Sequence, residues 1–198
     1  RAYVRSNEND KVIYAKPYES YSLTITDSEF DNYKGNAITY YLKDSNKSKT
    51  TRLVSKPIVL YNDVAYPNYT AADIKNFSGE LVLIDNNDNG VYDVVKIYDY
   101  TYGFVDTVNV FDNGIRFSKP AGTYLSLENY DDEQVVLYNG NGESVVFGYI
   151  LNDDFLSIAE SKTKHKCTII INRDTVEGTV TEKDDDLITV DNVDYEFT

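Results

Sequence analysis

Residues 81–98 read LVLIDNNDNGVYDVVKIY: a short apolar run, a turn dense in Asp and Asn, and a second apolar run. How the flanks are read decides the fold. Asp85, Asn87 and Asn89 stand at the first, third and fifth places of a D-x-[DN]-x-[DN]-G loop, Gly90 at the sixth, Val91 at the seventh and Asp93 at the ninth. Helical flanks would make this an EF-hand. Both flanks are instead short, rich in Val, Ile, Leu and Tyr, and bounded by turn residues, which is strand chemistry. The twelfth place is Lys96, where an EF-hand needs a bidentate glutamate. The stretch is therefore a β-hairpin.

Similar runs recur along the chain, among them SLTIT, AITYYL, PIVLY, FVDTVNV, QVVLY and CTIII. Nineteen tyrosines with no tryptophan and no methionine point the same way, since tyrosine suits a pleated, half-buried surface. The one helical signal is TAADIKNF, with Thr70 as cap and Asp73 as its acidic partner three residues on. The expected fold is all-β: two related small β-barrel or sandwich-like units with one short helix.

The relation between the units comes from internal likeness. PIVLYND (57–63) matches QVVLYNG (134–140), with Leu60 and Leu137 offset by 77 residues. LVLIDNNDNGVYDVVKIY faces FLSIAESKTKHKCTIIIN in the same strand, turn, strand order, and GFVDTV (103–108) echoes DTVEGTV (174–180). Units of roughly 70 to 80 residues suit small barrels or compact sandwiches. The expected division is residues 1–110, carrying the 85–93 hairpin, and residues 111–198. The opening RAYVRSNENDKVIYAKPY reads as a hairpin already under way, so the chain is expected to be a fragment of a longer protein.

Charge narrows the partners. A net charge of −14 disfavours nucleic acid, which needs a basic face, and anionic membranes. No apolar run approaches the ~20 residues that span a bilayer. The lone Cys167 has no disulfide partner within the chain.

Two readings of the 85–93 loop stay open. Calcium would take oxygens from Asp85, Asn87, Asn89, the Val91 carbonyl and Asp93. The plainer reading is a reversal in which Asn89-Gly90 supplies positive φ. The matching loop ESKTKHKC places Lys162, Lys164 and Lys166 where oxygens would be needed, so only the first copy could hold a cation.

Other candidates are weaker. His165 and Cys167 lie two residues apart among lysines, a solvated loop histidine beside a partly buried cysteine rather than a nucleophile with its base. Two such residues are too few for structural zinc. The acidic runs Asp131-Asp132-Glu133 and Asp184-Asp185-Asp186 read as solvated tips, because neighbouring acids splay apart while glycoside hydrolysis needs facing ones. Tyr98, Tyr100, Tyr102 and Phe104 alternate, so an unbulged strand puts them on one face. The row is expected in the core or a domain interface; exposed, it would offer a platform for sugar rings.

The strings VVLYNG, FLSIAESKTK, VEGTVTEKDDDLITVDNVDYEF and LIDNNDNGVYDVVKIYDYTYGFVDTV resemble the repeated β modules of secreted and S-layer-associated cell-surface proteins of clostridia and related Firmicutes, over most of residues 55–198. The resemblance implies an extracellular or cell-wall location, with other domains of the same surface protein or neighbouring surface proteins as partners, and no catalytic residues. The leading expectation is a non-catalytic structural or interaction module, with calcium as its one candidate cofactor. The alternatives are a module binding cell-wall carbohydrate through Tyr98, Tyr100 and Tyr102, and a wall-acting hydrolase fragment.

Overall fold

A computed structural model describes residues 2–6, 12–17, 21–43, 45–128, 130–131, 134–173, 176–184 and 187–196. The chain is all-β, and its larger sheets curl into half-barrels. Strands β1 (Ala2–Ser6) and β2 (Val12–Pro17) form an antiparallel hairpin. The first seven-stranded sheet follows, from β3 (Tyr21–Thr26), β4 (Phe30–Lys34), β5 (Ala37–Tyr41), the long β6 (Ser48–Tyr61), β7 (Val64–Ala65), helix α1 (Ala71–Lys75), β8 (Gly79–Asp85) and β9 (Tyr92–Asp99). Its order is β3-β8-β9-β6-β5-β4, with β7 beside β6. All pairs are antiparallel except β6 with β9.

The second seven-stranded sheet contains β10 (Thr101–Asn109), β11 (Gly114–Lys119), β12 (Tyr124–Ser126), β13 (Val135–Asn139), β14 (Ser144–Val145), β15 (Phe155–Glu160) and β16 (Cys167–Asn172). Its order is β12-β11-β10-β15-β16-β13-β14, again with one parallel pair, β13 with β16. A three-stranded antiparallel meander ends the described chain: β17 (Val180–Lys183), β18 (Leu187–Val190) and β19 (Val193–Glu196). The change of sheet falls at Tyr100, ahead of the division at residues 110 and 111 read from the sequence.

Each large sheet holds an arc with the parallel pair and an antiparallel meander. In the first, β6 runs unbroken from meander to arc: Ser48–Arg52 pair with β5, and Ile58–Tyr61 with β9. In the second, β10 makes the passage, with Thr101–Phe104 on β15 and Phe104–Asn109 on β11. Corresponding details recur. Ile38 and Ile115 are both fully buried, and the Leu53 and Leu127 amides donate to the carbonyls of Asn36 and Asn113 at 2.8 and 3.0 Å. Both asparagines take left-handed backbone, at φ 62° and 47°, which Asn tolerates better than most residues.

One apolar cluster fills each sheet, because residues of period two turn every second side chain inward. Helix α1 plugs the first with the fully buried Ile74 and is closed as its sequence predicts, the Thr70 amide donating to Asp73 Oδ2 at 2.7 Å. In the second, Gly103 faces the core opposite Leu156, the place that Ile25 takes opposite Leu81. A Cβ on Gly103 would lie 2.3 Å from the Phe117 ring, so the ring occupies the space that a side chain there would need.

Candidate functional site

The 85–93 loop joins β8 to β9 and is closed by its own side chains. The buried Asp85 accepts the Asn87 amide at 3.1 Å on Oδ1 and the Gly90 amide at 2.8 Å on Oδ2. Asn89 Oδ1 accepts the Val91 amide at 2.8 Å, and Asp93 Oδ2 the Asn86 amide at 3.0 Å. Burial pushes the Asp85 carboxyl up, and the loop amides outweigh it, leaving the group below its ordinary range. Positive φ falls on Asp88 (55°) and Gly90 (78°), so in the plainer of the two readings Gly90 turns the chain as supposed while Asp88, not Asn89, supplies the second positive φ. These bonds account for the loop's shape without an ion. They also leave capacity for one, since an ionised carboxylate offers about four lone-pair sites. Among the described residues no three His, Cys, Asp or Glu side chains group to hold a metal.

The loop between β15 and β16 uses Ser161 where the first uses Asp85. Buried Ser161 Oγ accepts the amides of His165 and Lys166, both at 2.9 Å. Two of its lysines reach the first sheet. Lys162 Nζ lies 4.3 Å from the Tyr61 ring centroid and 4.0 Å from Asp73, while Lys166 Nζ lies 2.9 Å from Asp63. Lys164 stays on its own sheet, 2.6 Å from Glu160. The buried Asn62 stitches the sheets: its side-chain amide donates to the carbonyls of Asp99 (3.1 Å) and Glu160 (2.8 Å), and its oxygen accepts the Asp99 amide at 2.9 Å.

Beside this stitch lies a groove of about 250 Å³, lined by Asp63, Tyr98, Tyr100, Tyr138 and Lys166. Asp63, held in left-handed backbone at φ 64°, is its polar centre. It accepts from Lys96 Nζ at 3.1 Å, Lys166 Nζ at 2.9 Å and the Tyr98 hydroxyl at 2.8 Å, and Lys96 also donates to that hydroxyl at 2.9 Å. Partial burial pushes the Asp63 carboxyl up, but the donors from Lys166, Tyr98 and Lys96 outweigh it and bring it down to about 2. Burial in turn pushes the Tyr100 phenol up.

Tyr98, Tyr100, Tyr102 and Phe104 do share a face, and it is the outer one. Val95, Ile97, Gly103 and Val105 point inward, so of the two placements expected for the row the core is overturned, while Tyr98 and Tyr100 line a groove between the two sheets. Tyr102 and Phe104 are each 44% exposed. The Tyr100 ring lies 6.4 Å from Tyr102, Tyr102 stacks on Phe155 at 5.8 Å with 6° between planes, and Phe155 meets Phe104 at 5.0 Å. Phe155 was not legible as part of the row. It joins because it pairs across the ladder with Phe104. Asp63, Lys96 and Lys166 were missed for the same reason: the contact from Lys166 to Asp63 spans 103 residues.

Cys167 is fully buried and its thiol is pushed up to about 12 by that burial, which removes the thiolate a nucleophile requires. Asp132, Glu133, Asp185 and Asp186 lie outside the described residues, and Asp131 and Asp184 sit in loops. Asp99 and Glu160 line a second cavity of about 230 Å³, yet each is tied to a phenol: Tyr61 donates to Asp99, and Tyr130 to Glu160 at 2.6 Å. No described helix is long and apolar enough to cross a membrane. Compared with protein families, with curated proteins and with solved structures, the chain finds no match in any of the three.

Proposed function

We propose that the chain is a non-catalytic structural and interaction module of a bacterial cell-surface or secreted protein, in which the two seven-stranded sheets are copies of one unit. One observation carries the reading: the acids nearest the cavities are engaged in holding strands, the Asp99 carboxylate with Tyr61 and the Ser78 amide, Glu160 with Tyr130 and Lys164, and Asp63 with two lysines. The matching order of the two arcs, β3-β8-β9-β6 and β10-β15-β16-β13, supports duplication, and the likeness to clostridial surface modules supports the location. Calcium at the Asp85–Asp93 loop is a separable part of the proposal. The test is incubation with peptidoglycan and soluble wall glycans: no release of reducing ends or fragments is expected. Turnover that disappears in Asp99→Asn or Glu160→Gln would sink the non-catalytic reading.

A second reading, carbohydrate binding, is favoured by one specific observation. The tyrosine row lies on the outer face, with Tyr102 half-exposed and its ring parallel to that of Phe155. Exposed aromatic surface of this kind suits the C–H face of a sugar ring, which apolar burial and ring geometry both favour.

A further inference from the structure

We infer that the Asp63 groove binds one ring of a neutral, multiply hydroxylated glycan, and that the Tyr102–Phe155 shelf carries the adjoining rings. This rests on the carbohydrate reading and gives it a binding subsite and a ligand class.

The hydrogen-bonding capacity of the groove selects hydroxyls. Lys166, on the groove wall, uses one of its three ammonium protons on Asp63, whose other oxygen is held by Lys96 from outside the groove and by Tyr98. Asp63 Oδ2 receives only Lys166, so it keeps acceptor capacity. Free ammonium donors therefore stand beside a free carboxylate acceptor. A hydroxyl both donates and accepts, so a vicinal diol satisfies the two at once, and bonds to charged partners are the stronger kind. An apolar ligand would strip water from these groups and leave them unpaired, at a cost of about 1–3 kcal/mol each.

Charge selects neutrality. The two ammonium groups already share one carboxylate, and the chain around them carries −14, so a polyanionic glycan is repelled at long range. Size selects a single ring. A groove of about 250 Å³ falls just under the roughly 300–1,000 Å³ of sites for larger ligands. Tyr138 and Tyr100 supply its aromatic walls, and neither phenol has a hydrogen-bond partner among the described residues. From Tyr100 the aromatic surface continues to Tyr102, 6.4 Å away, and onto Phe155, so a linear chain seated in the groove has a path out along the shelf.

Affinity electrophoresis of the full chain through soluble xylan, mannan and mixed-linkage β-glucan, with polygalacturonate as the anionic comparison, tests the inference. Retardation by at least one neutral glycan is expected, weakened about tenfold or more in Tyr138→Ala and in Lys166→Met, and also in Tyr102→Ala. Thermal unfolding of each variant confirms that it is folded. Binding lost in Tyr102→Ala but untouched by Tyr138→Ala and Lys166→Met would overturn the groove and leave the carbohydrate reading standing. Preference for polygalacturonate would overturn the ligand class. No retardation by any glycan, in folded wild-type protein, would overturn both the inference and the carbohydrate reading.

Discussion

The two seven-stranded sheets use the same parts and open at different places. In the first, the chain leaves the sheet between β3 and β4, and β6 is continuous; in the second it leaves between β12 and β13, and β10 is continuous. The continuous strand is irregular in each case. Pairing of β6 shifts register between Leu53 and Ile58, and that of β10 between Phe104 and Thr107. Such irregularities bend a strand and raise its twist, which lets one strand serve two sheet directions. Pro57 falls inside the first and cannot donate to a ladder. A curled sheet can thus be broken at either seam provided a bulged strand carries the other corner. The break at β12–β13 leaves an apolar cavity of about 310 Å³, lined by residues including Leu127, Tyr130 and Leu137. In the first sheet the unbroken β6 occupies the corresponding seam.

Four measurements break or sharpen this comparison. The largest effect is expected at the end of β16. Arg173 makes a two-pronged pair with the buried Asp154, at 2.7 and 2.9 Å, and packs over Tyr149, whereas the end of β9 carries Asp99 bonded to a phenol. Arg173→Ala leaves a buried carboxylate without its cation and is expected to cost about 3 kcal/mol, the low end for such losses because Arg173 is partly exposed. An unchanged urea midpoint would show that the pair does not hold the second sheet.

Next is the exchange of core fillings. Gly103→Ile forces a side chain into the Phe117 ring and is expected to cost about 2 kcal/mol, as overpacking does. Adding Phe117→Ala should recover part of that loss, because Ile25 fills the equivalent place in the first sheet. A double variant no better than the sum of the singles would mean that the two cores are not interchangeable.

The loops should differ by less. Asp85→Ala is expected to cost about 2 kcal/mol and Ser161→Ala about 1 kcal/mol, since a charged acceptor makes the stronger bonds. Repeating the Asp85 pair of melts in chelator and in millimolar calcium separates the ion from the amides. A midpoint raised by calcium in wild type alone would place calcium in the loop; coincident wild-type curves would leave only the hydrogen bonds.

The smallest effect is the pH dependence of the junction. The Asp63 carboxyl is held at about 2, below its unfolded value, so its contribution is complete above roughly pH 4 and is lost as pH falls through its folded value. Solvent screens this partly exposed group, so only a fraction of a kcal/mol is at stake. Asp63→Asn should flatten the acid-unfolding curve between about pH 4 and pH 2 and leave neutral stability nearly unchanged. An equal slope in both proteins would remove Asp63 from the junction's electrostatics.

What was legible in the sequence was local. The LVLI and VVKIY runs form strands, and Thr70 with Asp73 closes the one helix, because alternation and capping act between near neighbours. Asp85, read from the motif as an oxygen ligand for calcium, accepts two amides of its own loop. The string match of Leu60 to Leu137 falls one residue away from the burial pattern. Val59, paired with Val95, and Leu137, paired with Ile169, are the buried members, and a slip of one residue turns every side chain to the other face.

The sequence by itself determined the class of structure, the hairpins and the shared face of the tyrosine row, all of which follow from a backbone period of two and from turn residues close in the chain. The tertiary structure alone decided which way that face looks. It also chose the seam at which each sheet opens, brought Phe155 against Tyr102, and set Lys166 of a loop beside Lys96 of a strand on Asp63. Those outcomes depend on contacts between residues far apart in sequence, whose pairing no local pattern encodes.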